Sequence, residues 1–450
     1  MSKITAVHVC SKCDAQSPKW SGRCESCGSW GTISKTPLVQ RTTYNVEQDE
    51  QVAPAKVKDL AQLFQAGVSL SVPSGNLALD SVLGGGLTKG AAILLAGEPG
   101  MGKSTLLSQA ALDMAAKGKN ILYVCGEESP SQVALRLKRL GAAADKIDFI
   151  DDTRVETICA TINAQKPDLT IIDSVQSVST DAATGESGGI SQVRACAAQL
   201  TQCAKKTDVP IILVGQVTKD GDIAGPRALE HVVDVVLSLE GDRLHRFRIL
   251  RAIKNRFGST DETVLMDMDE KGLQVVQDPS MALLTDRPQA APGSAIGCVL
   301  EGRRPMLVEL QALVSPAGYS APVRRGNGLD NTRLGMLLAV LTRHAGIAVY
   351  DKDVYANATG GIDVRDPGAD LALAAAIASA VNKKTLDPKT AYFGEIGLTG
   401  ELRPVALPEL RIKEIARMGF ETVVCPTLKN ADAIKNIKLV QCKNIREALG

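Results

Sequence analysis

Residues 91–105 read AAILLAGEPGMGKST, a short apolar run that leads into a glycine-rich turn and then into helix-forming residues. Positions 97–104 match the pattern G-x4-G-K-[ST]. Glycines let backbone N–H groups wrap around phosphates, and the amino terminus of the following helix adds its positive dipole end. The segment therefore predicts a phosphate-binding loop between a strand and a helix, and short β-branched runs that alternate with helical stretches over about 66–280 predict a parallel α/β sheet. The residues predicted to bind the nucleotide are Gly97, Glu98, Pro99, Gly100, Met101, Gly102, Lys103, Ser104 and Thr105.

A second strand supplies the expected metal partner of this loop. The apolar run PDLTIID ends in Asp173, which is the position of the carboxylate that orients Mg²⁺ through water in such sites. Lys103 is expected to contact the β- and γ-phosphates, and Ser104 to ligate Mg²⁺. The sequence thus predicts ATP with Mg²⁺ as the ligand.

Polar residues also follow two further strands. NILYVC leads into Glu127 and Glu128, either of which could polarise the water that attacks the γ-phosphate. Alternatively, one or both of them cap the helix that begins near Ser129. PIILVG ends in Gln216, which is either a sensor of the γ-phosphate or a solvated loop residue.

The first 35 residues carry a cysteine pattern typical of a metal site. Cys10, Cys13, Cys24 and Cys27 form C-x2-C-x10-C-x2-C, and two such pairs can close a tetrahedron around Zn²⁺. Four protein ligands leave no open coordination position, so the predicted zinc site is structural. A segment this short also needs the metal in order to hold its fold.

Composition restricts the class of protein. The 450 residues are 44% hydrophobic and 22% charged, with 51 Lys plus Arg against 50 Asp plus Glu. This mix indicates globular domains rather than wholesale disorder, and the balanced charge argues against a uniformly basic nucleic-acid coat. The amino terminus has no apolar signal core, and the longest apolar stretch, 371–381, is too short to cross a membrane. We expect a cytoplasmic protein with no membrane partner.

Composition shifts divide the chain into five predicted segments. They are a four-cysteine finger (1–35), a polar linker (36–65), an α/β domain with the phosphate loop (66–280), a proline-rich linker (281–293) and a second α/β domain (294–450).

Motifs in this order resemble a known family. LAGEPGMGKST, YVCGEES, LTIIDS and ILVGQVTKDG follow one another as in a RecA-type ATPase core, and SGNLALDSVLGGGLTKG at 74–90 is similar to the lead-in of that core. KNRFG at 254–258 resembles the motif of the bacterial RadA/Sms proteins, which are recombination and repair factors with a four-cysteine zinc finger. The resemblance implies a RecA-like P-loop ATPase core, an N-terminal zinc ribbon and a C-terminal Lon-protease-like α/β domain.

The Lon-like resemblance rests on GIDVRDPGAD at 361–370 and FGEIGLTGELRPV at 393–405. Where the Lon pattern has its nucleophilic serine, this chain has Gly368, which has no hydroxyl for acyl-enzyme chemistry. Lys413 does not align securely with the Lon lysine. We therefore expect a domain that is not a protease and that serves as a scaffold for ring formation.

The family also implies roles for basic residues. In a ring with ATP between neighbouring subunits, Lys254 and Arg256 would reach across the interface to the transferred phosphate; otherwise they are solvated surface cations. DNA-contacting loops would follow the strands that end in Asp173 and Gln216, spanning 176–194 and 217–228. Their cations, expected on DNA phosphates, are Arg194, Lys219 and Arg227.

The resemblance implies a DNA-dependent ATPase or helicase that moves on single-stranded DNA and promotes branch migration in recombinational repair. Its implied partners are single-stranded and branched DNA, a RecA-type recombinase and further copies of the chain, with a hexameric ring expected. The alternative is a nucleotide-switched regulatory ATPase that acts on proteins. A third possibility, an ATP-dependent protease, is disfavoured by Gly368.

Overall fold

The computed structural model describes residues 7–10, 16–17, 19–25, 28–36, 71–141, 146–216, 229–241, 246–285, 291–318, 321–429 and 437–450. The contacts between residues divide the chain into two compact units, Met1–Val68 and Ser69–Gly450. No helix among these described residues is long and apolar enough to span a membrane.

The first unit contains a small antiparallel sheet. Its strands are β1 (Val7–Cys10), β2 (Gln16–Ser17) and β3 (Ile33–Thr36), in the order β2-β1-β3. Cys10, at the end of β1, and Cys24 are both buried. Buried sulfur in so small a sheet is expected of a fold organised around a metal, because too few apolar side chains are present to form a core.

The second unit begins with the short antiparallel pair β4 (Ser71–Val72) and β5 (Leu87–Thr88), which flanks helix α1 (Leu77–Leu83). A nine-stranded sheet of the described residues follows. Its strands are β6 (Ala92–Gly97), β7 (Ile121–Cys125), β8 (Ile147–Ile150), β9 (Leu169–Asp173), β10 (Ile211–Gln216), β11 (Val235–Gly241), β12 (Phe247–Asn255), β13 (Thr263–Asp269) and β14 (Gly272–Val275).

The strand order of this sheet is β14-β13-β12-β11-β6-β10-β9-β7-β8. Strands β11, β6, β10, β9, β7 and β8 run parallel, whereas β12, β13 and β14 are added antiparallel at one edge. The connecting helices are α2 (Lys103–Ala116), α3 (Pro130–Leu140), α4 (Val155–Gln165) and α5 (Ile190–Thr207). The predicted α/β sheet with a strand–loop–helix at the phosphate motif is present.

Both faces of the parallel strands are covered, so these strands are apolar on both sides. Along β6, Ile93 and Leu95 belong to one hydrophobic cluster, and Leu94 belongs to another. Because side chains alternate along a strand, every residue of β6 is buried. This central, rigid strand carries the phosphate loop at its carboxyl end.

A seven-stranded sheet forms the C-terminal half, with order β17-β18-β16-β15-β19-β22-β23. Its strands are β15 (Ser294–Glu301), β16 (Arg304–Pro316), β17 (Arg324–Asn327), β18 (Lys352–Ala358), β19 (Thr390–Tyr392), β22 (Thr422–Pro426) and β23 (Lys438–Cys442), and β20 (Glu395–Ile396) and β21 (Leu402–Arg403) form a separate pair. The helices are α6 (Pro279–Leu284), α7 (Asn331–Val340), α8 (Asp370–Asn382), α9 (Pro408–Arg417) and α10 (Ile445–Leu449).

The two sheets of the second unit share a hydrophobic core. Phe247, Ile249 and Leu265, on the antiparallel strands of the larger sheet, belong to the same buried cluster as Val308 of the smaller sheet and Leu337 of α7. Residues 281–284, predicted as part of a linker, are instead the end of α6. The predicted proline-rich linker is therefore not a simple break between separately packed halves.

Candidate functional site

The loop between β6 and α2 forms a cradle for phosphate. Gly100 and Gly102 have φ angles of 83° and 99°, a region that glycine enters without steric cost. Helix α2 begins at Lys103, and no side chain caps its first N–H groups. The Lys103 Nζ donates to the carbonyl oxygens of Gly97 (2.8 Å) and Glu98 (2.9 Å). The ammonium is thus held inside the loop, next to uncapped backbone donors.

A cavity of about 770 Å³ opens beside this loop, within the usual range for small-molecule sites. Its walls come from the loop and α2, from α3 and from the carboxyl ends of β9 and β10. The predicted residues that line it are Pro99, Gly100, Gly102, Lys103, Ser104, Thr105, Glu127, Glu128, Asp173 and Gln216. Met101, by contrast, is buried in the hydrophobic core.

Asp173 ends β9 and contributes its carboxylate to this cavity, close to the start of α2. The side chain is largely buried, and the Tyr123 hydroxyl donates a hydrogen bond of 3.0 Å to its Oδ2. Burial, and then the charge of Asp173, raise the pKa of Tyr123 well above its ordinary value. A hydroxyl on Ser104, a carboxylate, an ammonium and helix N–H groups without a side-chain cap form a set that fits Mg²⁺ with a nucleotide phosphate.

The structure distinguishes the two glutamates that the sequence left equivalent. Glu127 accepts a hydrogen bond from the Ser174 hydroxyl and another, of 3.4 Å, from the side-chain amide of Gln216. Glu128 forms an ion pair with Arg136 on α3. Glu127 is therefore connected to the ends of β9 and β10, while Glu128 is held by a cation.

Neither glutamate caps α3. The N-cap is Ser129, whose hydroxyl accepts from the backbone N–H of Gln132 while the Gln132 side chain accepts from the Ser129 N–H. This reciprocal capping box satisfies the helix start without an acidic side chain. The alternative that Glu127 or Glu128 caps the helix is wrong.

Sequence reasoning missed Tyr123, Arg136, Ser174 and Met268, all at or beside the cavity. A tyrosine inside the aliphatic run ILYVC was a signal for a buried hydroxyl that needs a partner. Met268 lies so close to the loop that a Cβ added at Gly102 would stand 2.4 Å from its Cε. That contact connects the antiparallel edge of the sheet to the phosphate loop. It could not be predicted from a local sequence pattern.

The basic pair lies at the other end of the sheet. Lys254 donates to the Val233 carbonyl oxygen at 2.8 Å, and Arg256 pairs with Asp234 at 3.3 Å. Asp234 also accepts from the backbone N–H of Ala92, the first residue of β6. Five residues of strand separate Ala92 from the loop, about 16 Å at the usual rise per residue. The pair cannot reach the phosphate cradle of its own subunit.

This end of β12 is an exposed surface of mixed character. Ile253 and Phe257 are about half exposed, at 47% and 48%, beside exposed Arg256. Burial, and then the neighbouring Arg256, lower the pKa of Lys254. An apolar patch beside a cation is typical of a surface that another chain covers.

The candidate DNA residues are described only in part. Arg194 lies on α5 rather than in a loop, because that helix already begins at Ile190, and its side chain is exposed. Within the predicted first loop, the side-chain oxygen of Gln192 accepts a hydrogen bond of 3.0 Å from the Thr180 N–H and so connects this part of the segment to α5. Lys219 and Arg227 lie outside the described residues.

Two of the four predicted zinc ligands are described. The Cys10 Sγ donates to the Thr32 hydroxyl at 3.2 Å. The backbone N–H of Cys24 bonds to the Ser29 carbonyl and its carbonyl to the Gly28 N–H, each at 2.8 Å. Cys13 and Cys27 lie outside the described residues.

Comparison with known families and proteins agrees with this architecture. Residues 8–35 match a rubredoxin metal-binding domain, residues 74–222 an AAA domain, and residues 347–449 the C-terminal proteolytic domain of Lon protease (S16). The DNA repair protein RadA of Bacillus subtilis is 39% identical, with all of this chain and 99% of the relative aligned. The proteins of the same name from Pseudomonas aeruginosa and Mycolicibacterium smegmatis are 42% and 43% identical, again over the whole of this chain and 99% and 97% of their own length.

The chain belongs to the RadA family of DNA repair proteins. The family resemblance and the fold class are thereby confirmed: a RecA-like α/β core, an N-terminal zinc ribbon and a C-terminal Lon-type domain. The ATPase domain implies ATP with Mg²⁺, and the rubredoxin-type match supports zinc at the cysteine segment.

The Lon-type domain of this RadA-family chain has an arginine beside Gly368, the position where the sequence resemblance predicts the Lon serine. A Cβ at Gly368 would stand 2.6 Å from the Nη1 of Arg411. Arg411 is completely buried, pairs with Asp366 at 2.7 Å and donates to the Cys298 carbonyl at 2.5 Å. Lys413, the lysine considered from the sequence, is exposed. The position next to Gly368 thus holds a guanidinium fixed by a carboxylate.

Proposed function

We propose that this chain is a DNA-dependent ATPase that translocates on single-stranded DNA and promotes branch migration of recombination intermediates during DNA repair. Its RadA-family membership and its ATPase domain support DNA repair and ATP use. The coupling of hydrolysis to DNA is argued from one feature of the nucleotide site.

That feature is the contact of Glu127 with the starting points of both candidate DNA loops. Glu127 accepts from Ser174, which precedes the first loop, and from Gln216, which precedes the second. In addition, the Gln176 side-chain amide lies 3.5 Å from the Gln216 carbonyl oxygen, so the two loop starts contact each other. A change at the phosphate end of the cavity therefore has a direct hydrogen-bonded route to both loops.

In this proposal, Glu127 accepts the proton of the attacking water, and Gln216 responds to the γ-phosphate. Lys103 donates to the phosphate oxygens, while Ser104 and Asp173 hold the metal, the latter through water. Mg²⁺, when bound, offsets negative charge on those oxygens.

Lys254 and Arg256 act on the nucleotide of a neighbouring subunit in a homo-oligomeric ring, which we propose to be a hexamer. Two observations support this role: both cations lie at the end of the sheet remote from their own cradle, and the apolar Ile253 and Phe257 of the same segment are about half exposed. A cation from the next chain would offset charge that develops on the transferred phosphate.

Arg194, Lys219 and Arg227 are proposed to contact DNA phosphates, which bind cations without regard to sequence. Single-stranded and branched DNA and a RecA-type recombinase are the proposed partners.

The test is steady-state ATP hydrolysis with and without single-stranded DNA at two salt concentrations. Stimulation by DNA that added salt weakens, and that Lys103→Ala abolishes, would support the proposal. Lys413→Ala, at an exposed lysine of α9, is the matched control and should leave the stimulation intact. Hydrolysis that ignores DNA at both salt concentrations would refute the motor and favour the regulatory ATPase that acts on proteins.

A further inference from the structure

Four side chains form a continuous chain of polar contacts beside the nucleotide cavity. Glu128 pairs with Nη1 of Arg136. The Nη2 of the same guanidinium donates to the Tyr123 hydroxyl oxygen at 3.2 Å, and the Tyr123 hydroxyl donates to Oδ2 of Asp173 at 3.0 Å. The chain runs from the turn before α3, through Arg136 on α3 and the middle of β7, to the end of β9.

The members of this chain are held firmly. Tyr123 has no exposed surface, and its ring stacks on Phe149 with centroids 6.4 Å apart and planes 10° from parallel. The Arg136 side chain is only 11% exposed, and its Nε donates to the Ser108 hydroxyl at 3.1 Å. Ser108 belongs to α2, the helix that follows the phosphate loop. Arg136 therefore links α2, α3 and β7.

The direction of the hydrogen bonds follows from the inventory of donors. A guanidinium can only donate, so it occupies a lone pair of the Tyr123 oxygen. The single phenolic proton then points to Asp173, whose carboxylate can only accept. One carboxylate oxygen, Oδ2, is thus fixed by the phenol, and the other remains for the cavity.

We propose that Tyr123 and Arg136 are positioning residues that orient the Asp173 carboxylate towards Mg²⁺. This inference rests on the proposed role of Asp173 in holding the metal. Partners behind a metal-binding carboxylate typically change metal affinity 10–100-fold, because they fix its orientation. Glu128, by pairing with Arg136, supports the far end of the same chain.

The competing explanation is that the buried hydroxyl only stabilises the fold. Removing a buried hydrogen bond would then lower stability and leave the response to Mg²⁺ unchanged. The two explanations predict different effects of Mg²⁺ on nucleotide affinity. This effect can be measured without ATP hydrolysis and without DNA.

The experiment compares Tyr123→Phe with Tyr392→Phe in the full-length protein. Tyr392 is a buried tyrosine of the C-terminal sheet, remote from the nucleotide cavity, and provides the matched loss of one hydroxyl. The affinity for a fluorescent ADP analogue is measured without Mg²⁺ and across a Mg²⁺ titration, with Tm recorded for each protein. In Tyr123→Phe, the Mg²⁺ concentration that gives half of the Mg²⁺-induced increase in nucleotide affinity should be roughly tenfold higher than in the wild type. Without Mg²⁺, the two proteins should bind the ADP analogue with the same affinity. Tyr392→Phe should match the wild type.

A folded Tyr123→Phe protein with the wild-type Mg²⁺ dependence would overturn the inference. If that variant does not fold, Arg136→Lys decides, because a lysine keeps the charge but lacks the planar fork whose separate nitrogens contact Ser108, Glu128 and Tyr123. It should weaken the Mg²⁺ response in the same direction, and a wild-type response would overturn the inference. Failure of the proposed motor looks different, since DNA would then not stimulate wild-type ATP hydrolysis.

Discussion

The guanidinium of Arg411 fills the space beside Gly368 that a serine side chain would need. The backbone N–H of Leu300 and Nη1 of Arg411 both reach the same oxygen, Oδ2 of Asp366, at 2.7 Å. A Cβ at position 368 would lie 3.0 Å from that oxygen. The buried Arg411–Asp366 ion pair therefore leaves no room for a side chain at position 368. Separately, glycine has no hydroxyl that could act as a nucleophile.

Gly368→Ser should destabilise the protein without creating a protease. The added atoms meet the Arg411–Asp366 pair, and overpacking of this kind costs about 1–3 kcal/mol. A guanidinium stays protonated, so it cannot activate the new hydroxyl. The measurements are Tm and casein degradation with ATP. Gly318→Ser, where an added Cβ meets nothing within 4 Å, is the control. Casein cleavage by Gly368→Ser that also requires Lys103 would revive the ATP-dependent protease.

The glutamates should separate in kinetics. Glu127→Gln removes the proposed base, so kcat for ATP hydrolysis should fall about 10²–10⁴-fold while affinity for a fluorescent ATP analogue is retained. Glu128→Gln only releases Arg136 and should have a smaller effect on kcat. The reverse order of the two kcat values would show that Glu128 positions the water.

Mixed rings should test the basic pair. Lys103→Ala and Arg256→Ala subunits should each be inactive alone, because one lacks the loop lysine and the other the cation for its neighbour. In a random equal mixture, about a quarter of the head-to-tail interfaces join an intact loop to an intact Arg256. We therefore expect about a quarter of the wild-type ATP hydrolysis. A mixture with no more activity than its components would argue against action between subunits.

Loss of zinc should affect the first unit selectively. Cys10→Ser removes one of four predicted ligands, and a closed tetrahedral site with three ligands binds zinc weakly. Metal analysis of the purified protein should show less than one zinc per chain, while the Tm of the 69–450 unit stays near that of the wild type. Cys196→Ser, at a buried cysteine of α5, is the control and should retain zinc.

Acid should weaken the contact between α6 and α9. Asp278 caps the start of α6, and Arg417 is the last residue of α9. The Nη1 of Arg417 lies 2.6 Å from the Oδ2 of Asp278, and hydrogen bonds from Arg417 lower the pKa of this carboxyl group. A depressed carboxyl pKa contributes stability above its unfolded value of about 3.9, and this is lost as the pH falls through the folded pKa. The contribution is about 1 kcal/mol or less because Arg417 is half exposed.

The Tm difference between wild type and Arg417→Gln should therefore be largest above about pH 5 and should shrink towards pH 3. Lys384→Gln removes one charge from an exposed site and is the matched control. Arg417 also pairs with Glu414 at 2.7 Å, so a difference that stays constant over this range would contradict a contribution from either of its two carboxylate partners.

Local patterns were sufficient to predict the sheet and the phosphate loop. The loop sequence with its flanking strand and helix depends on residues within 15 positions of one another, and Asp173 follows from the end of an apolar run. The spacing of the four cysteines predicted the zinc site in the same way, and the family resemblance, carried by contiguous motifs, added the Lon-type domain. Such features need only short-range rules of backbone conformation and hydrophobic alternation.

Contacts between distant residues could not be predicted in this way. Tyr123 meets Asp173 across 50 positions, and Arg411 meets Cys298 across 113. Which glutamate contacts the ends of β9 and β10 depends on the direction in which each side chain leaves the end of β7, and the sequence of that turn is compatible with either. Strand order and helix packing determine which of these residues meet, and local sequence patterns predict neither.

The shared core has a consequence for how this molecule is divided. Phe247 and Ile249 of the ATPase sheet are buried in a core that includes residues of the second sheet, and Arg251 forms an ion pair with buried Glu301 of β15 at 3.1 Å. Ending the chain before β15 would expose these apolar side chains to solvent and would leave Arg251 without the Glu301 carboxylate. The Lon-type fold, with no serine at position 368, thus completes the hydrophobic core of the ATPase domain.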